Sequence, residues 1–217
     1  MNTVGERKRP FYVHPLALVE SEQVGDRTRV WAFAHIMAEA HVGADCNIGE
    51  HAFLEAGARV GNNVTVKNGV SIWAHITVED NAFLGPHCVF TNDPNPRAYI
   101  KKPAEALLPT LIRANATVGA NATILCGITV GQYAFIGAGA VVVRSVPDFA
   151  LVVGNPARQI GWMCPCAHRL SLQVSPVSTE RCLCRHCGRM FAARIRIVNQ
   201  KRLVEVGEDD SQESAVC

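Results

Sequence analysis

A period of six, sustained along most of the chain, limits what this sequence can fold into more than any other feature. Aliphatic residues, with one Phe, recur at Leu18, Val24, Val30, Ile36, Val42, Ile48, Leu54, Val60, Val66, Ile72, Val78, Leu84 and Phe90, then at Ile112, Val118, Ile124, Val130, Ile136 and Val142. Four residues after most of these stands a small residue, such as Ala34, Cys46, Ala52, Ala116 or Ala140. Neither the helical period nor strand alternation yields a repeat of six. A prism of short strands does, with one strand and one turn per hexapeptide, the aliphatic side chain inward and the small residue at the inner corner. Three hexapeptides close a coil, so residues 18 apart stack about 4.7–4.9 Å from each other, the spacing of paired strands. One coil cannot bury its own apolar face; stacking makes the core. Hydrophobic residues make up 48% of the chain and aromatics only 6%, so that core is to be built from Val, Ile, Leu and Ala. The expected fold class is all-β, a parallel β-helix of hexapeptide repeats.

The phase breaks once. Phe90 to Ile112 is a step of 22, one repeat of six plus 16 further residues, and the intervening TNDPNPRAYIKKPAEALLPTL has four prolines and no hexapeptide pattern. An insertion the solenoid does not need reads as a lid or binding loop, here loop 91–111, or else as a tolerated surface loop.

After Trp162 the pattern changes. Five of the nine cysteines (Cys164, Cys166, Cys182, Cys184, Cys187) crowd into one segment, CPCAHRL…CLCRHCGRMF. In a chain with no export signal such clustering favours a metal over a disulfide framework. Cys164, Cys166, Cys184 and Cys187 suit tetrahedral, structural zinc. The first pair has one spacer residue where two are commoner, so Cys182 or His186 is an alternative ligand. ARIRIVN and RLVEV, around Gln200 and Lys201, read as a hairpin completing a small zinc-ribbon-like module, and GEDDSQESAVC reads as a disordered tail. Net charge +2 and the lack of a basic stripe with aromatics argue against nucleic acid. No apolar run reaches a membrane span, so a cytoplasmic protein with no membrane contact is expected.

The repeat, GPHCVFTNDPNPRA at the start of the loop and VGNPARQIGWM after the last coil together resemble the bacterial nucleotide-sugar N-acetyltransferases of the hexapeptide-repeat family, over residues 11 to 163. The resemblance is greatest to enzymes acting on UDP-2-acetamido-3-amino-2,3-dideoxyglucuronate in surface-polysaccharide biosynthesis. The dTDP-3-amino-sugar N-acetyltransferases share much of the pattern. The resemblance implies that the helix of domain 1–163 is left-handed; the residues themselves place the zinc-ribbon-like module at 164–206 and the tail at 207–217. It also implies acetyl-CoA as co-substrate and a homotrimer with active sites between subunits.

By the same resemblance Asn92 contacts the sugar near the acceptor amine, and Arg144 and Arg158 run along the CoA phosphates. Gly137, Ala138 and Gly139 let the pantetheine arm approach, although Gly-Ala is also ordinary repeat grammar. Trp31 and His35 are expected near the nucleotide base; packing explains Trp31 equally well. The stacking rule puts Asn92 and Asp93 one coil beyond Ala74 and His75, making His75 and Asp93 a candidate base and its orienter. His75 is otherwise a turn residue. His87, stacked over Gly69 and His51, either lines a groove or is turn polarity, and Arg97 with Lys101 and Lys102 either meets the substrate or forms a solvated loop face. The resemblance breaks at Trp73-Ala74-His75, where Ala74 replaces a usual polar group. An amino-sugar amine should titrate near about 7.7–8.0, like an α-amino group, so a strong base is optional and the departing thiolate can take the proton. An O-acetyltransferase would need an activating His for its hydroxyl, and a non-catalytic scaffold would need no CoA site. A carbonic-anhydrase-type zinc site is disfavoured, since no two histidines of the repeats stand five apart.

Overall fold

The computed structural model describes residues 10–172, 181–198 and 201–209. It is a parallel β-helix whose strands are mostly two residues long, one per hexapeptide. His41–Val42 lies beside Arg59–Val60, which lies beside Ile76–Val78, so successive coils align 18 residues apart. Main-chain bonds join the coils, as from Arg29 N–H to Cys46 O at 2.9 Å. Inside the prism Ile48, Leu54, Ile72, Leu84 and Ile124 are fully buried, and Ala52, Ala58 and Ala140 occupy the corners. Side chains alternate in and out along each two-residue strand, which leaves one hydrophobic position per strand for the core.

The corners turn through residues with left-handed backbone. Asn and Asp do this at modest cost and supply Asp45, Asn63, Asn81, Asn115 and Asn121. His51, His75 and His87 take the same conformation, with φ of 57°, 65° and 55°.

The register departs from 18 at three places. The first coil is one residue short: Val13 pairs with Val30 and Val19 with Ile36. Val19 therefore holds the inner position, and Leu18, expected inside, is 53% exposed. Across the insertion Val78 pairs with Ile112 and Phe90 with Ile124, each 34 apart, or one coil plus 16 residues. At the far end Ile136 pairs with Val152, 16 apart.

The last parallel strand, Ala150–Val153, is followed by antiparallel Arg158–Met163 and Arg169–Leu170, which extend one face of the prism into a ten-stranded sheet. A separate antiparallel sheet combines Arg181–Leu183, Met190–Val198 and Lys201–Glu208. Its long pair is the expected hairpin, and its last strand continues two residues beyond the boundary at 206 read from sequence. Phe191, fully buried, meets Phe149 edge-on at 5.9 Å, and Phe149 stacks on Tyr133 at 5.2 Å, so this sheet packs on the end of the solenoid. Residues 210–217, most of the expected tail, lie outside the described residues. No helix among the described residues is long and apolar enough to cross a membrane.

Candidate functional site

The insertion leaves the prism after Val89–Phe90 and returns at Thr110–Ile112. Main-chain bonds close its base: Leu108 N–H donates to Asn92 O at 2.9 Å and Thr110 N–H to His75 O at 3.1 Å. Thr91 Oγ1 accepts from Cys126 N–H at 3.0 Å. The returning segment thus touches both Asn92 and His75, which the stacking rule placed on neighbouring coils. The Asn92 side chain is half-buried and makes no hydrogen bond among the described residues. The His75 imidazole is exposed and likewise without a hydrogen-bond partner among them.

Asp93 is engaged elsewhere than expected. Its Oδ1 accepts from Lys102 Nζ at 2.5 Å and from Asn95 N–H at 2.8 Å, and these donors hold its carboxyl below the usual carboxylate range. Lys102 also donates to Asn95 O, fastening the loop to itself. No contact joins Asp93 to His75 among the described residues. Arg97 and Lys101 are exposed.

Two contacts beneath the loop were not read from sequence. Glu55 Oε2 accepts the Ala74 N–H at 2.7 Å, and Trp73 Nε1 donates to Phe90 O at 2.8 Å. The 19-residue offset from Glu55 to Ala74, close to one coil, was the available signal. Ala74 thus lacks a polar side chain but has its main chain fixed by a carboxylate.

The two nucleotide-base candidates stand on either side of one corner. Trp31 follows a strand of the ten-stranded face, donates to Asn47 Oδ1 at 2.9 Å and lies 5.7 Å from Tyr12. His35 sits on the next face, pairs with Glu20 at 3.1 Å and meets Phe53 edge-on, with Phe53 in turn 5.7 Å from Trp73. His87 covers Gly69 so closely that a Cβ there would lie 2.3 Å from Nδ1, and His51 stacks on Phe33 at 5.0 Å.

Near the C-terminal coils Gly139 has φ of 68° and open space around its α-carbon, Ala138 is exposed, and a Cβ on Gly137 would meet Val153. Val141 N–H bonds to Gly154 O and Ala157 N–H to Val141 O, folding the Gly154–Ala157 turn against the strand that leads to Arg144. Arg144 and Arg158 are exposed near that junction. A cleft of about 670 Å3 between the last coils and the appended sheet, lined by Arg113, Ser145, Asp148, Ala192, Val204 and Glu208, contains none of the acceptor or CoA candidates.

The appended sheet brings the four expected thiols together. The Sγ atoms of Cys164, Cys166, Cys184 and Cys187 all lie within 4.8 Å of one another, with Cys164 to Cys187 at 3.4 Å and Cys166 to Cys184 at 3.6 Å. Zinc–sulfur bonds of about 2.3 Å in a tetrahedron require sulfurs about 3.8 Å apart, so the donor set fits the ion. The N–H groups of Cys187 and His186 draw the Cys184 thiol down to about 6, while burial pushes Cys164 up. Neither Cys182, whose sulfur turns to Leu183 O, nor His186 is in the cluster.

Comparison with known proteins agrees with this architecture. The pattern described as "Bacterial transferase hexapeptide (six repeats)" matches residues 109–144, and "Hexapeptide repeat of succinyl-transferase" matches 40–74. Over 189 residues the chain is 44% identical to a dTDP-3-amino-3,6-dideoxy-alpha-D-galactopyranose 3-N-acetyltransferase of Aneurinibacillus thermoaerophilus, covering 87% of this chain and 94% of that one. It is 29% identical over 159 residues to the bifunctional protein GlmU of Thermosynechococcus vestitus, covering 73% of this chain but only 32% of GlmU. Among solved structures, the acetyltransferase domain of PglB from Neisseria gonorrhoeae in complex with acetyl coenzyme A aligns over 70% of this chain and 58% of that one, at 22% identity and a TM-score of 0.46.

Proposed function

The chain belongs to the hexapeptide-repeat N-acetyltransferases of nucleotide sugars, and from that premise we propose that it acetylates the 3-amino group of a dTDP-linked 3-amino-3,6-dideoxyhexose with acetyl-CoA. The observation carrying this reading is the 44% identity extending over 94% of the dTDP-sugar enzyme's length. It favours the dTDP alternative over the UDP-glucuronate type that the sequence motifs placed first.

The chemistry asks for little beyond placement. A neutral amine attacks the thioester carbonyl, the carbon–sulfur bond breaks, and the amine's surplus proton leaves with the CoA thiolate. At an amine pKa of about 7.7–8.0 a useful fraction is neutral near pH 7, so positioning dominates. The free Asn92 amide, which both donates and accepts, orients the acceptor. Among the described residues no carboxylate orients the His75 imidazole as a base normally requires, and His75 serves the loop base through its main-chain carbonyl, which accepts from Thr110 N–H. Loop 91–111, held in shape by Asp93 and Lys102, covers the sugar, with Arg97 facing its diphosphate and His87 at the edge. Trp31 and His35 flank one corner of the prism, where the nucleotide base is placed. Arg144 and Arg158 take the CoA phosphates beside the open Gly137–Gly139 turn. The assembly is a homotrimer with its sites between subunits, and Cys164, Cys166, Cys184 and Cys187 hold a structural zinc ion.

Thiol release from acetyl-CoA against a panel of dTDP- and UDP-amino sugars tests the assignment. Turnover is expected with a dTDP-3-amino-3,6-dideoxyhexose. Turnover only with a UDP-3-aminoglucuronate would restore the other substrate, and no turnover together with no CoA binding in calorimetry would remove the enzymatic reading.

A further inference from the structure

The two halves of the cysteine cluster come from different sheets. Cys164 and Cys166 sit in the turn between Arg158–Met163 and Arg169–Leu170, which belong to the ten-stranded sheet of the solenoid itself. That turn is closed by Cys164 N–H to His168 O and Ala167 N–H to Cys164 O, both at 2.8 Å. Cys184 and Cys187 sit in the turn between Arg181–Leu183 and Met190–Val198 of the appended sheet, closed by Cys184 N–H to Arg189 O at 2.8 Å and Gly188 N–H to Cys184 O at 2.9 Å. Both close pairs of sulfurs cross between the turns: Cys164 meets Cys187, and Cys166 meets Cys184. The imidazoles of His168 and His186, one from each turn, stack across the same junction at 3.7 Å.

Resting on the zinc reading above, we propose that the ion clamps the appended sheet across the open end of the solenoid, each sheet supplying two thiolates. Beside the ion, the junction is packed by Phe191 against Phe149, by His168 on His186, and by Phe191, Ala193 and Val206 in one buried cluster with Trp162 and Leu170. A three-stranded sheet of this size has little core of its own, so its order rests on what holds it to the solenoid. Without the ion the thiols take up protons and have no common partner, so losing it removes the link between the two turns. The cleft between the last coils and residues 204–208 depends on the same clamp for its second wall.

Elemental analysis of the purified full-length protein, followed by hydrogen exchange before and after stripping with a chelator, tests this. One zinc per chain is expected. On its removal, exchange across Arg181–Leu183 and Phe191–Ala193 should speed up at least tenfold while the coils from Ile112 to Val142 stay protected, and added zinc should reverse the change. Cys182→Ser should keep the zinc, and Cys184→Ser should lose it. One zinc per chain whose removal leaves the appended sheet equally protected overturns the clamp and spares the zinc site. Absence of zinc, together with no thiolate–cobalt absorption when cobalt is offered to the reduced protein, overturns both.

Discussion

Asn92 and Asp93 are neighbours in sequence with opposite situations. Asn92 is tied down by its backbone carbonyl, which receives Leu108 N–H, and its side chain is left uncommitted. Asp93 spends its carboxylate on Lys102 and Asn95. Replacing Asn92 with Ala therefore removes an amide from the acceptor site without unfastening the loop. Turnover should fall roughly 100-fold, the scale associated with misplacing a reacting group by about an ångström, while CoA affinity and melting temperature hold. Steady-state kinetics beside CoA calorimetry decides it; unchanged turnover excludes Asn92 from the mechanism. The period of 18 put Asn92 one coil beyond Ala74; Ser71–Ile72 and Val89–Phe90 fall in separate sheets there, and the Trp73 indole bond to Phe90 O links the two levels instead. The partner of Asp93 was not legible, because Lys102 lies nine residues further along a segment with no period. The histidines were legible as positions, but that His51, His75 and His87 all sit in left-handed corners appears only in the backbone.

Between elements, the coils approach so closely that some corners exclude a methyl group. A Cβ on Gly119 would lie 2.5 Å from Ala138 N and 2.7 Å from Gly137 C and Ile136 O. These are main-chain atoms of the next coil, and they cannot swing aside as a side-chain tip does. Gly119→Ala should cost about 1–3 kcal/mol through overpacking, and at about 2–4 °C per kcal/mol for a chain this size the melting temperature should fall by several degrees. A melt equal to that of the unsubstituted protein would mean that the coils can separate locally. The repeat made most of this architecture readable, including the length of the insertion. It failed at the first coil because Leu18 and Val19 are both aliphatic and satisfy either phase. Only the pairing of Val19 with Ile36, 17 residues on, selects the shorter coil and turns Leu18 outward. The appended hairpin was readable from its β-branched residues, whereas the sharing of its cysteine cluster with the solenoid's sheet depends on antiparallel strands that follow the last hexapeptide.

The molecule as a whole presents large apolar side chains where a solitary prism would gain by polar ones. Tyr12, Leu16, Leu18 and Phe33 at the first coils, and Val89 next to the loop, are each 46% exposed or more. A few such residues are normal on any surface, but Val89 is placed to matter. It is the outward residue of its strand, in register with Thr123 and then Val141 on the same face, and it stands three residues before Asn92. A subunit that covered this face would lie against the base of the loop, so assembly and acceptor site would share one surface. Light scattering should therefore give a mass of about 70 kDa, three times the 23.5 kDa of the chain. Placing a charge there by Val89→Glu should shift the mass toward that of one chain and abolish turnover in the same preparations, with the coil core keeping its melting transition. A Val89→Glu protein that is monomeric yet fully active would place the whole site within one chain, and the trimer would then serve stability alone.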